Sequence, residues 1–308
     1  MTRSLVAGCC RPSCSELPAM IQFYPQKVVN SRVSLTRRYT PCRVLIIAFL
    51  VLISAAFTSC GVHGDKGSVP GKGASASATA TPTPLTSGDI APILLFNGTG
   101  TSPNDVSAVE TILSSNHLSY STVNSSELNG MDESQMRAYP LLIVPGGNFD
   151  QIGKSLTSST SANIRDAVHN GLNYLGICAG GFFAGNSPYN GLNLTSGVRF
   201  GFYADESRGI RKAAVAIAGA GAATLDQYWE DGPQFTGWGE VIGKYPDGTP
   251  AIVEGTFGSG WVVLSGVHPE APASWRLGMA FNTPVSADNA YAGTLIHAAL
   301  NRASLPHY

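Results

Sequence analysis

The stretch N-Y-L-G-I-C-A-G-G-F-F-A-G at 173–185 puts Cys178 at the end of a short apolar run, with glycines on both sides. A strand turning sharply into a helix leaves the residue at the turn strained, and small neighbours let the chain pass. A thiol in such a turn can act as a nucleophile, since the thiolate is the reactive form. The alternative is a buried cysteine behaving as a small hydrophobe. A thiol nucleophile needs a base, and the base needs a group that orients it. The stretch V-H-P-E at 267–270 offers His268 as base and Glu270 as its carboxylate, with Pro269 fixing the backbone between them. Pro145-Gly146-Gly147 presents two amides unshielded by side chains. Gly146, Gly147 and the amide of Ala179 could together bind an oxyanion. Such a set would attack an amide or related acyl carbon, form a thioester and release it to water. Taken singly, the same residues read as a strand-end histidine, a solvated charge and a turn.

These groups need strand ends to hold them. Ile90–Phe96 is an apolar run, as is Leu141–Val144, and Leu118–Val123 and Asn173–Ile177 also have strand character. Helical spacing runs through 104–117 and 161–170. Near-continuous apolar strands alternating with helices predict an α/β fold, a mostly parallel sheet with helices on both faces. Beyond Cys178 the pattern becomes β-rich, with Ala213–Ile217 and an Ala251–Thr256/Trp261–Val267 hairpin across Gly-Ser-Gly, closed by a helix over 287–302. Functional groups in such sheets collect at the carboxyl ends of strands. Asn97 and Gly98, after the first strand, are therefore candidate cleft residues, as is Phe182. Tyr228, Trp229, Glu230 and Asp231, in a Gly-rich stretch read as a loop, either line the cleft or pack the loop.

The amino terminus has a different texture. Of 19 Lys and Arg and 20 Asp and Glu, seven bases and one acid fall in residues 1–60, leaving 12 bases against 19 acids beyond. That acidic body carries no basic stripe, and no nucleic-acid partner is expected. The apolar run of residues 44–57 follows Arg37, Arg38 and Arg43 and has the length of a signal-peptide core. It ends in Phe57-Thr58-Ser59-Cys60-Gly61, similar to a bacterial lipobox with Cys60 as the lipidated residue, although Phe57 departs from the usual aliphatic. Residues 1–60 are thus expected to be a lipoprotein-type signal segment, with Met20 a second candidate start. An ordinary signal peptide or membrane anchor is the alternative. Residues 61–88, almost entirely Gly, Ser, Ala, Thr and Pro, read as a tether, and one domain is expected over 89–308. The chain would be exported and tethered to a membrane through lipid. Gly61 after the cysteine is no retention signal, so an outer-membrane destination is expected where the host has one. The mature body would keep Cys178 as its one cysteine, which allows no internal disulfide. His117, His169, His297 and His307 form no ligand-like group, and neither a metal nor a cofactor is expected.

G-I-C-A-G at 176–180, P-G-G at 145–147 and H-P-E-A at 268–271 resemble the class I glutamine amidotransferase superfamily. L-L-F-N-G-T-G at 94–100, C-A-G-G-F-F-A at 178–184 and Y-W-E-D-G-P-Q-F at 228–235 are similar to the family named for the N-terminal region of biotin-protein ligases. The resemblance implies a flavodoxin-like sheet and a triad of Cys178, His268 and Glu270. Glutamine-using relatives carry Gln where this chain has Phe182, so glutamine is not the expected substrate. Nothing resembles the ligase catalytic domain, and biotinylation is not expected. Two functional readings stay open: a Cys-His-Glu hydrolase of small-molecule or peptide amides, and a non-catalytic binding or regulatory module with the same cleft.

Overall fold

The structure, a computed structural model, describes residues 91–308. The signal-type segment, Cys60 and the tether lie outside the described residues. The chain runs through β1 (Ile93–Phe96), α1 (Pro103–Ser115), β2 (Tyr120–Val123), α2 (Ser125–Asn129), α3 (Glu133–Arg137) and β3 (Leu141–Val144). It continues through α4 (Phe149–Ser155), α5 (Ser158–His169), β4 (Asn173–Ile177), α6 (Ala179–Ala184), β5 (Gly201–Phe202) and α7 (Ala204–Ser207). The last elements are β6 (Lys212–Gly219), β7 (Leu225–Glu230), β8 (Pro233–Gln234), β9 (Glu240–Lys244), β10 (Pro250–Phe257), β11 (Gly260–Ser265) and α8 (Val285–Asn301).

Nine strands make one sheet in the order β2-β1-β3-β4-β11-β10-β9-β6-β7, and β5 pairs with β8. The first five of that order are parallel. From β11 onward, neighbours are antiparallel. The parallel part is therefore a doubly wound α/β sheet, and the β-rich half extends the same sheet.

The parallel strands are apolar at successive positions because both faces are covered. Along β1, Ile93 and Leu95 enter one core with Val109 and Leu113 of α1 and Leu295 and Ile296 of α8. Leu94 and Phe96 enter the other, with Ile152 of α4, Ile164 of α5 and Phe183 of α6. Each fully buried side chain of this size contributes about 1.5–3 kcal/mol relative to exposure. No helix among the described residues is long and apolar enough to cross a membrane.

The stretch read as a Gly-rich loop at 228–231 is mostly strand: β7 pairs with β6 through Tyr228↔Ala214 and Trp229↔Ala213. The chain bends after it at Asp231. The polar-apolar mixture of L-D-Q-Y-W-E hid this strand, because an edge strand buries its residues unevenly. The short helices α2 and α3 were also unforeseen. They rest on capping boxes, Asn124 with Glu127 and Asp132 with Gln135.

Candidate active site

Four parallel strands deliver the chemistry at their carboxyl ends: Asp105 follows β1, Gly146 and Gly147 follow β3, Cys178 follows β4, and His268 and Glu270 follow β11. Cys178 sits at φ 49°, ψ −103°, between β4 and α6. A non-glycine residue there stores of order 1–3 kcal/mol of backbone strain, which the surrounding structure must hold. The Cys178 amide donates to the Ser265 carbonyl at 2.7 Å, tying the turn to β11. Gly180 makes the tight approach feasible, since a Cβ there would lie 1.9 Å from the Val144 carbonyl oxygen. The Cys178 sulfur, on a residue only 6% exposed, is 3.5 Å from the Glu230 carbonyl oxygen.

His268 is buried, with its backbone amide on the Tyr228 carbonyl at 2.8 Å and its ring clustered with those of Tyr228 and Trp275. Two carboxylates face its Nδ1: Glu270 Oε1 at 2.9 Å and Asp105 Oδ1 at 3.1 Å. One N–H cannot serve both with good geometry, and Asp105 Oδ1 is left without a hydrogen bond. With Nδ1 so engaged, Nε2 is the nitrogen left for the sulfur, which in this structure donates to the Glu230 carbonyl. Asp105 fits against His268 because residue 146 is glycine: a Cβ there would fall 2.0 Å from Asp105 Oδ1 and 2.7 Å from His268 Cε1.

Burial works against an imidazolium at His268, but the charges of Cys178 and Glu270 and the adjacent Asp105 carboxylate outweigh it, holding the group well above the ordinary histidine range. Burial raises the Glu270 carboxyl, and the opposing His268 interaction does not cancel that rise. At Asp105 the balance reverses: burial pushes the carboxyl up, yet His268, Ser102 and the backbone hold it below the usual range. Asp105, His268 and Glu270 also form a group whose ligand-type atoms lie within 4.8 Å of one another. A proton on Nδ1 satisfies the Glu270 contact, and Asp105 Oδ1 stays at ion-pair distance.

A cleft of about 440 Å³ opens over these groups. Cys178, His268, Gly147, Ala179, Phe182, Glu230 and Asp231 all line it. The amides of Gly147 and Ala179 border it without a protein hydrogen bond among the described residues. Gly146 sits behind the cleft, its carbonyl accepting from the Ser102 amide at 3.0 Å. Glu270 is likewise behind His268. Tyr228 packs on the His268 ring and donates to the Glu230 carboxylate. Tyr228 and three other expected cleft residues do not line it. Trp229 is fully buried, its Nε1 donating to the Gly232 carbonyl at 3.2 Å, because alternation along β7 turns it into the core. Asn97 and Gly98 stand at the end of β1 outside the lining, where Gly98 packs against Phe96 and Ser125.

Asp105 was missed by sequence reasoning. Ser102-Pro103-Asn104-Asp105 reads as an ordinary helix start, and Ser102 does cap α1. The available signal was an acid in the first turn of the helix that follows the first strand, in a fold that gathers function near strand ends. Phe149, Tyr189 and Phe202 were missed too, since they come from separate loops and elements that only the fold brings together.

Residues 91–210 match the model of the family described as biotin-protein ligase, N terminal. Cys178 and Pro145–Gly147 fall inside that span, and His268 and Glu270 fall beyond it. Over 162 residues, 43% of this chain, the sequence is 29% identical to the biotin-protein ligase of Schizosaccharomyces pombe. That match spans only 26% of the yeast protein. Similar solved structures include a putative GMP synthase component from Thermoplasma acidophilum, at TM-score 0.45 and 10% identity, covering 69% of this chain and 96% of that one. A cytoplasmic protein from Salmonella typhimurium matches at TM-score 0.43 and 9% identity, covering 67% of this chain and 98% of its own. A β-galactosidase from Rahnella sp. R3 matches at TM-score 0.43 and 14% identity, over 68% of this chain and 31% of the enzyme.

Proposed function

For a chain whose residues 91–210 match the biotin-protein ligase N-terminal family, we propose a cysteine-dependent amide hydrolase with Cys178 as nucleophile. The observation that carries this reading is the strained Cys178 turn facing the same cleft as a buried, carboxylate-held imidazole. His268 already carries its proton, so the sulfur attacks the carbonyl carbon as the thiolate of a thiolate–imidazolium pair. The developing oxyanion meets the amides of Gly147 and Ala179. The carbon–nitrogen bond breaks and the His268 proton goes to the leaving amine. Water then loses a proton to His268 and attacks the thioester, the sulfur–carbon bond breaks, and a carboxylic acid leaves with the thiolate–imidazolium pair restored. Glu270 and Asp105 position the imidazole and support its charge.

The test is exposure of the full chain to a panel of amides and small peptides, with intact-mass detection of acyl adducts. An adduct on Cys178 that is absent from Cys178→Ala supports the reading. Turnover that survives Cys178→Ala removes the thiol from the mechanism. A second reading is favoured by one observation: Phe182, standing where glutamine-using relatives place Gln, stacks on Phe149 at 4.6 Å and puts a ring in the cleft. A binding module with this cleft would bind amides without any adduct. Export and anchoring through lipid on Cys60 are part of the same proposal, resting on the signal-type segment. Metabolic labelling with a palmitate analogue should mark the wild type and spare Cys60→Ser, and equal labelling of both would end that part.

A further inference from the structure

The cleft has two unlike walls. One is aromatic: Phe182 lies 4.6 Å from Phe149 and 4.8 Å from Phe202, and Tyr189 extends the group at 6.0 Å from Phe149. Phe202 and Tyr189 are 43% and 37% exposed, two of the few large apolar side chains left open to solvent among the described residues. Exposed aromatic surface rimming a concave site is surface that a ligand can cover. The other wall is acidic. Asp105, Asp150, Glu230 and Asp231 line the cleft, and no Lys or Arg among the described residues does. His268 is the one cationic group there, and it is held by Glu270 and Asp105.

The neighbouring cations are outside. Lys154 pairs with Asp150 at 2.7 Å with its side chain 62% exposed, and Arg211 divides between Glu206 at 2.8 Å and Asp231 at 3.4 Å. Among the described residues Glu230 has no cationic partner, and it takes the Tyr228 hydroxyl. Burial, with the charges of Glu206 and Glu230 and against that of Arg211, raises the Asp231 carboxyl, as expected where acids crowd. Lys154 also lies 5.0 Å above the Tyr189 ring, so this aromatic wall already accepts an ammonium.

We propose that the acyl compounds admitted to this cleft carry an ammonium or guanidinium group on an apolar body and lack a free carboxylate. The inference rests on the nucleophile reading of Cys178 and adds the charge class of its substrate. Aromatic faces and carboxylates attract the cation, and a free amino acid's carboxylate would meet four acids with no partner. The apolar body would cover Phe149, Phe182 and Phe202.

The test needs no substrate. The full chain is alkylated with neutral iodoacetamide, anionic iodoacetate and cationic 2-bromoethylamine, each rate read at the Cys178 peptide by mass and divided by that of a small uncharged thiol. At low salt the normalised cation-to-anion ratio should be about tenfold or more, and it should shrink at about 1 M salt. Glu230→Gln and Asp231→Asn should each lower it severalfold. Asn suits the positive φ of 46° at position 231, so that variant keeps the backbone. Asp166→Asn, on the exposed face of α5 outside the cleft, should leave the ratio unchanged. A reactive Cys178 with a ratio of one or below overturns the charge inference and leaves the nucleophile intact. A Cys178 slower with iodoacetamide than the free thiol overturns both.

Discussion

The parallel half of the sheet and its antiparallel extension build the site in different ways. In the parallel half, β1, β3 and β4 are four or five residues long and completely buried, and each releases its functional group where the strand ends. The antiparallel half has longer, unevenly buried strands, with β6 and β10 of eight residues each. It sends Glu230 and Asp231 along the side of the cleft. The contrast separates two tasks. Reactive atoms are fixed by backbone turns packed between two cores, where displacement is costly. The acidic side chains that the proposed substrate's cation would meet, Glu230 and Asp231, sit at the end of β7.

Changes in the parallel half should therefore damage folding or thiol reactivity, and changes in the antiparallel half should alter selectivity. The largest effect is expected from Gly180→Ala. Its Cβ would meet the rigid Val144 carbonyl at 1.9 Å, so unfolding free energy should fall by about 3 kcal/mol or more. Chemical denaturation measures this, and an unchanged midpoint would show that the turn tolerates a side chain. Next comes Asp105→Asn, which keeps the shape and removes the charge beside His268. The rate of iodoacetamide addition to Cys178 should drop about tenfold, equivalent to about 1.4 kcal/mol. A rate equal to wild type would make Asp105 a bystander.

His268→Gln separates charge from packing. The folded state holds the His268 proton more tightly than the unfolded chain, so its stabilisation is complete below about pH 6.5 and declines as pH rises through the raised folded value. The gap in Tm between wild type and His268→Gln should accordingly be widest at acidic pH and narrow in alkali. A gap that widens with pH would reverse the assignment. The smallest effect belongs to the antiparallel half. Tyr228→Phe loses the hydrogen bond to Glu230 and should cost no more than about 1.5 kcal/mol in thermal unfolding. A larger loss would mean that β7 also supports the reactive centre.

The same division governed what could be read in advance. The placement of Cys178, His268 and the Pro145–Gly147 turn at strand ends was legible because short apolar strands punctuated by glycine announce their own ends. The β10–β11 hairpin was legible for the same reason, with Phe257 opposite Gly260 across its turn. Asp105 was not, because its partner is 163 positions away and its neighbours look like any helix cap. Trp229 was misplaced because period-2 alternation decides its direction, and β7 had not been recognised as a strand. The aromatic wall was invisible, since Phe149, Phe182 and Phe202 meet only after the sheet is assembled.

The centre of the account is that the imidazole of His268 activates the sulfur of Cys178. The direct measurement is the rate at which iodoacetamide modifies Cys178, read at its own peptide near pH 7, in wild type and His268→Ala. Wild type should react at least about tenfold faster, in line with assistance by a positioned base. Equal rates in two folded proteins would contradict it.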